Sequence, residues 1–463
     1  MRARAALWLV LPLSLASAGC SWSRFDDVVD DSPIVLLNRP KALEAGFGSS
    51  LAAARVGSDV TLLVGGSPLT SGGAEFSLGS ADSPGQEARD TGHCLGGENP
   101  CYFSASPVAL SRAKGPSKTP QNLCFVDGAG TAAGDQGIVV RCSDERRELD
   151  DVEYALAVPA GADDLLSFSI KFGQATMFRF GADHGPDPGL LASADEQTEV
   201  WYYPPLTRDF VELSNPADSK GRWTQDKPRT LAIARVGGEA KLLAVGTPDE
   251  SGVRLFLAPD GATPTYVGCI GGTPGFGRAF ATGPVDGDDS DELIISDDSL
   301  VYVFDGKQLA SLPPTDSADC SLAALPEGTL VTSFTCGSTA NISGCPGSGF
   351  GASLGVGDLD GDGDGEVVVG APNMTVRHKS GAGAVLIYDV ESGKAGAPAN
   401  LYDLKDIAFL SSAEADDRLG FSVALANLGD RDLLVAGAPG GGKTALFYCP
   451  SFLPAELKGS RCN

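Results

Sequence analysis

An all-β fold is the class this sequence predicts, and three observations carry it. Sixty glycines and thirty prolines punctuate the 463 residues, which suits many strands joined by tight turns better than helices. Apolar residues fall in short runs such as Leu62-Leu63-Val64 and Val367-Val368-Val369, the length of strands rather than of helices. One pattern also recurs along the chain. Leu51-Ala52-Ala53-Ala54-Arg55-Val56-Gly57, then Leu62-Leu63-Val64-Gly65-Gly66-Ser67-Pro68, returns as Leu231-Ala232-Ile233-Ala234-Arg235-Val236-Gly237, then Leu242-Leu243-Ala244-Val245-Gly246-Thr247-Pro248, with the same spacing inside each copy.

Related units begin at Phe276-Gly277, Phe350-Gly351 and Leu419-Gly420, and a weaker one at Phe172-Gly173. Starts therefore fall near residues 47, 172, 227, 276, 350 and 419. The gap between 75 and 165 has room for one more, built on Gly137 to Cys142 and Tyr154 to Val158. Each unit offers a third strand, as at Val253 to Phe256, Val301 to Phe304 and Val385 to Tyr388, and some a fourth, as in residues 401–410. Units of four short strands, repeating every few tens of residues, predict a β-propeller of about seven blades. The last unit runs out after its third strand. The strand-like Ile34-Val35-Leu36-Leu37 is placed to supply the fourth, closing the ring and removing an exposed edge. Residues 33–463 are thus the propeller, 20–32 an acidic tether, and about 70–135, rich in Gly, Ser and Pro with three cysteines, long loops stapled by disulfides.

The unit at Phe350 carries the strongest chemistry. After Gly349-Phe350-Gly351-Ala352-Ser353-Leu354 comes Asp358-Leu359-Asp360-Gly361-Asp362-Gly363-Asp364-Gly365-Glu366, then Val367 to Val369 and Gly370-Ala371-Pro372. Carboxylates at alternate positions of a glycine-broken turn converge on one hard cation, and without it they repel. The segment resembles the FG-GAP repeat, the blade unit of β-propellers in integrin α chains and many bacterial surface proteins. The resemblance implies calcium ligands at Asp358, Asp360, Asp362, Asp364 (through its carbonyl) and Glu366, the last standing where the family usually has Asp. Carried onto the aligned loop at Pro284, it implies a weaker site from Asp286, Asp288, the Ser290 carbonyl and Glu292, with Pro284 in place of the first ligand. The short turns Gly57-Ser58-Asp59, Gly237-Gly238-Glu239 and Gly429-Asp430-Arg431 are expected to hold no ion. The calcium is expected to brace loops rather than to catalyse.

Basic residues number 34 against 60 acidic ones, a formal net charge of −26. That balance disfavours nucleic acid or an anionic membrane surface as the main partner. At the N-terminus, Arg2 and Arg4 precede an apolar run, Ala5 to Leu15, too short to span a bilayer. Residues 1–19 therefore predict an export signal. Ala16-Ser17-Ala18-Gly19-Cys20 resembles a bacterial lipoprotein signal, which implies acylation of Cys20 and a membrane anchor; Ser17 departs from the usual Leu. The alternative is an ordinary secretory signal that precedes a cysteine. Ser21 is not the Asp that retains some lipoproteins at the inner membrane, so the outer membrane or cell surface is the expected address.

Eleven cysteines leave ten once Cys20 is set aside. Proximity along the chain suggests the pairs Cys94/Cys101, Cys124/Cys142, Cys269/Cys320, Cys336/Cys345 and Cys449/Cys462. A zinc site is disfavoured, because no Cys-x-x-Cys is present and His93, His184 and His378 are scattered. Gly437-Ala438-Pro439-Gly440-Gly441-Gly442-Lys443-Thr444 matches the phosphate-binding P-loop pattern. That chemistry needs a helix to follow, whereas Ala445-Leu446-Phe447-Tyr448-Cys449-Pro450 predicts a strand, with Lys443 in an exposed hairpin turn and no nucleotide bound. No nucleophile elbow, His-Glu-x-x-His or histidine cluster is present, so the chain is not expected to be an enzyme. The expected function is a surface-exposed, calcium-stabilised binding or adhesion module for a protein or glycan. A propeller-scaffold hydrolase or lyase, or a structural part of an envelope assembly, are the alternatives.

Overall fold

The computed structural model describes residues 34–38 and 46–56, the strands between 59 and 212 with a few adjoining residues, and most of residues 230–448. Residues 1–32, including Cys20, and Cys94, Cys101, Cys449 and Cys462 lie outside the described residues. No described helix is long and apolar enough to cross a membrane.

Strands dominate, in antiparallel meanders. In chain order the first strands of the successive sheets are Ser50–Val56, Leu110–Arg112, Phe172–Phe178, Thr230–Arg235, Phe280–Gly283, Ser353–Gly357 and Ser422–Asn427. Among the described residues each opens a four-stranded sheet, except the second, which has five strands. A two-stranded ribbon, Ile342–Ser343 with Thr375–Val376, lies apart. These first strands stand side by side. That of the third sheet neighbours the fourth's, and so on through the fifth, sixth and seventh to the first, which touches the second. Sheets radiating from adjacent innermost strands form a β-propeller.

The ring is closed by the chain's beginning. Ile34–Asn38 pairs with the third strand of the seventh sheet, from Ile34 opposite Phe447 to Asn38 opposite Lys443. It buries Leu37 with Phe47, Leu62, Val435 and Leu446. That supplies the fourth strand the last unit lacks.

The fourth to seventh sheets pack on both faces, which explains the unbroken apolar runs. Val367, Val368 and Val369 are all fully buried, although successive side chains point to opposite faces. One cluster joins Ile294, Val368, Ile387 and Leu434 across the fifth to seventh sheets. Others fill the gaps between the fourth and fifth sheets and between the third and fourth.

The Phe-Gly corners work at these gaps. Phe47, Phe276, Phe350 and Leu419 are buried, and Phe276 meets Tyr302 edge-on with centroids 5.4 Å apart. The following Gly277, Gly351 and Gly420 have φ of 90°, 81° and 81°, a left-handed turn that glycine alone makes cheaply. Their N–H groups bond to the carbonyls of Ser296, Gly370 and Gly437 in the same sheet. Their carbonyls accept hydroxyls from the preceding sheet: Thr230 donates to Gly277, Ser353 to Gly420 at 2.9 Å, and Ser422 to Gly48 at 2.7 Å. Across from Thr230, Ser353 and Ser422 stand Gly246, Gly370 and Gly437. In the fifth sheet the pair is reversed. Ala279 takes the hydroxyl position, and Ser296 in the adjacent strand donates to the Gly351 carbonyl at 2.8 Å. At each of these four junctions one hydroxyl is kept, whichever strand provides it.

Three expectations need correction. Residues 70–135 are not loops alone, since Gly73–Gly79, Glu87–Asp90, Leu110–Arg112 and Asn122–Asp127 are strands; cross-strand pairing overrides their weak local propensity. Phe172-Gly173 is no corner but the start of a first strand, with a register shift between Phe172 and Gln174. Lys443 is not a free turn residue. It begins the strand Lys443–Phe447, where the P-loop pattern would need a helix, and its Nζ lies 3.3 Å from the buried Asp417 carboxylate.

Disulfides join Cys269 to Cys320 and Cys336 to Cys345. Cys124 stands opposite Cys142 in neighbouring strands.

Candidate metal centre

The acidic loops lie at the far end of the first strands from the glycine corners. In the sixth sheet the loop leaves Ser353–Gly357 and returns as Glu366–Ala371. Carboxylate oxygens of Asp358, Asp360 and Glu366 lie within 4.8 Å of one another. Two oxygens each about 2.4 Å from one calcium ion can be no more than about 4.8 Å apart, so this triad fits a single hard cation. Asp362, which the sequence also nominates, is exposed and outside the triad; its Oδ1 accepts the Asp364 N–H at 3.0 Å. The side chain of Asp364 likewise stands apart.

Backbone geometry holds the triad open. Glu366 is buried, and its Oε2 accepts the Leu359 N–H at 2.8 Å. Asp358 accepts from Gly361 at 2.6 Å and Gly363 at 3.1 Å. Burial raises the Asp358 carboxyl above its usual range, aided by Asp362 and Asp360 and opposed by those two N–H groups. Asp364 is raised by burial, then by Asp362 and by Asp286 of the fifth-sheet loop. Burial and mutual repulsion of this kind are relieved when a cation binds.

A partner no sequence motif announces is Asp432, at the head of the second strand of the seventh sheet. Its carboxylate accepts the Asp358 N–H at 3.0 Å, and its own N–H donates to the Asp358 carbonyl at 2.6 Å. Burial raises its carboxyl, with Asp358 adding to the rise. The fourth and fifth sheets make the same two-way clasp. Arg235 N–H donates to Asp291 at 2.8 Å, and Asp291 N–H to the Arg235 carbonyl at 2.7 Å. An Arg235–Asp291 ion pair at 2.6 Å adds to it. Between the fifth and sixth sheets Pro284 has no N–H to give, and its counterpart Gly365 has no carboxylate to receive one. Only the Gly365 N–H to Pro284 carbonyl bond remains, at 2.9 Å, and a Cβ on Gly365 would lie 2.5 Å from that oxygen. The first metal-loop residue is therefore built into a junction between sheets.

The fifth-sheet loop gathers Asp286, Asp288 and Glu292 within the same span. It shares the frame, since the Val285 N–H donates to Glu292 Oε2 at 2.9 Å. Its donors are committed, however. Asp288 pairs with Lys307 at 2.5 Å and accepts the Ser290 N–H at 2.6 Å and the Ser290 hydroxyl. The Lys307 hydrogen bond holds the Asp288 carboxyl down at about 2. Burial pushes Glu292 up to about 8, with Asp286 and Asp288 adding to it.

That shift sets a direction with pH. A carboxyl raised from 4.5 to about 8 binds its proton more tightly in the folded chain. Its contribution is therefore whole below about pH 4.5 and lost progressively as pH rises towards 8. Glu292→Gln keeps the shape without the charge. Thermal melts from pH 5 to 9 are expected to show the variant losing less stability than wild type on the alkaline side. Parallel pH profiles would contradict the assignment.

No curated protein matches this sequence. Among solved structures, the β-propeller domain of Cps50 (Swd1) from Myceliophteria thermophila aligns over 89% of this chain and 99% of that one, at 13% identity and a TM-score of 0.49. Residues 350–388, from the corner Phe350 through the Asp358 loop to Tyr388, match the FG-GAP repeat family.

Proposed function

We propose that this chain is a calcium-braced β-propeller that presents its loops to a protein or glycan ligand, held outside the cytoplasm by a lipid anchor at Cys20. The observation that carries the proposal is the convergence of Asp358, Asp360 and Glu366 at a junction of two sheets, inside the stretch matched to FG-GAP repeats. Hard oxygen ligands on a glycine-bent loop suit calcium. An ion there offsets most of the triad's charge and fixes Asp358, which is clasped to Asp432 of the next sheet. Such bracing keeps the loops of adjacent blades in register, which is what a recognition surface on loops requires.

Melting curves with chelator and with calcium test this. Calcium at a hundredfold excess over its dissociation constant contributes about 2.7 kcal/mol, or roughly 3 °C for a chain of this size. Asp360→Ala is expected to abolish the rise. A wild-type melt that ignores both chelator and calcium would sink the calcium reading.

Export and anchoring rest on the Ala16 to Cys20 motif. Expressed in a bacterial host, the protein is expected in the membrane fraction, and Cys20→Ala in the soluble fraction or unprocessed. A wild type that fractionates as a soluble, unacylated protein would remove the anchor from the proposal.

A further inference from the structure

The two acidic loops occupy equivalent places, and the pairing of the strands behind them fixes the equivalence. Leu293 stands opposite Phe304 in the fifth sheet as Val367 stands opposite Tyr388 in the sixth. Both loops close with a backbone N–H on the buried glutamate, Val285 to Glu292 and Leu359 to Glu366. In this register Pro284 corresponds to Asp358. The fifth-sheet loop thus has one carboxylate fewer than its counterpart, and it carries an ammonium on Asp288.

The ammonium is delivered by a fixed element. Lys307 lies on the short helix Gly306–Ala310, whose first turn is capped by Asp305 accepting the Gln308 N–H at 3.0 Å. The Asp305 N–H is itself bonded to the Thr329 carbonyl at 3.0 Å. The helix start presses on the loop so closely that a Cβ on Gly306 would lie 2.2 Å from the Asp291 carbonyl oxygen. Glycine at that place lets the helix approach, and the next residue reaches Asp288 Oδ2 at 2.5 Å.

We infer that Lys307 gives the fifth-sheet loop the positive charge that a metal ion would otherwise supply, so that the loop is a cation site filled from within and takes no calcium. A calcium ion arriving there meets an ammonium already on Asp288, and Pro284 offers no side-chain oxygen in the first ligand position. Displacing the lysine would leave a divalent ion with two side-chain carboxylates, Asp286 and Glu292, beside Asp288, which also holds Ser290. The pair is exposed to solvent, so its contribution to stability is small. Its consequence is for metal selectivity: two neighbouring sheets carry the same loop, one responsive to calcium and one independent of it. The comparison of the two loops rests on the calcium reading of the sixth sheet, but the lysine's role is testable without it.

The test uses the full chain carrying Asp360→Ala, which silences the sixth-sheet loop, and calcium titration followed by calorimetry. With Lys307 intact, no saturable calcium binding is expected. Pro284→Asp combined with Lys307→Glu, which adds a carboxylate at the first position and removes the ammonium, is expected to create one calcium equivalent that disappears when Asp286→Ala is added. Lys307→Gln alone, a milder change that keeps Pro284, is expected to give a weaker site with the same dependence on Asp286. Saturable, Asp286-dependent calcium binding in the Asp360→Ala chain with Lys307 intact would overturn the inference. So would folded Pro284→Asp/Lys307→Glu and Lys307→Gln chains that bind none. A wild type that binds no calcium at all would instead count against the function proposed above, while the gain in the Lys307 variants remains readable.

Discussion

Deleting residues 34–38 is expected to cost at least about 4 kcal/mol and to cause aggregation. The strand Ile34–Asn38 covers the open edge of Lys443–Phe447 along its whole length and buries Leu37 to 3% exposure. Burial of one such leucine is worth about 2 kcal/mol, and Ile34, Val35 and Leu36 are partly buried on either face. The exposed edge would then be free to pair with another chain. Deleting residues 22–31 is the control and is expected to change stability little. Chemical denaturation and light scattering read both effects. Equal harmlessness of the two deletions would mean that the ring closes by some other contact.

Gly437→Ala is expected to destabilise the chain by about 3 kcal/mol, far beyond a usual single methyl. Gly437 is not needed for a turn; it lies within the strand Asp432–Ala438. A Cβ there would lie 2.0 Å from the Gly48 carbonyl oxygen, the atom that accepts the Ser422 hydroxyl. Both obstacles are backbone or its bonded partner, so relief requires the seventh and first sheets to separate, at a cost of overpacking of about 1–3 kcal/mol or more. Gly370 faces the Gly420 carbonyl in the same way, at 2.1 Å, and Gly370→Ala is expected to behave alike at the next junction. A loss under about 0.5 kcal/mol for both would show that the junctions are looser than described.

What could be read in the sequence follows the range of the interactions. The repeated runs, the Phe-Gly corners and the Asp358 loop are local patterns, and periodicity exposes them. The closing role of Ile34–Asn38 was legible because the last unit is visibly one strand short. Strands such as Gly73–Gly79 and Asn122–Asp127 were hidden, since they are short and stand among stretches rich in glycine, serine and proline. The metal triad was legible as a loop but not as a triad. Which carboxylates turn inward depends on backbone N–H groups from Gly361 and Gly363, and these leave Asp362 outside. The partners furthest from view were Asp432, 74 positions from Asp358, and Lys307, 19 positions from Asp288. Neither belongs to a motif, because the contacts are made between sheets or across a blade.

Anomalous diffraction from crystals grown in calcium tests the central claim most directly, because it reports the ion's position rather than its effect. The account predicts one strong peak within about 2.6 Å of oxygens from Asp358, Asp360 and Glu366. It predicts no peak beside Asp286, Asp288 and Glu292, where Lys307 should remain on Asp288. An empty triad, or a calcium ion bound in the fifth-sheet loop with Lys307 displaced, would contradict it.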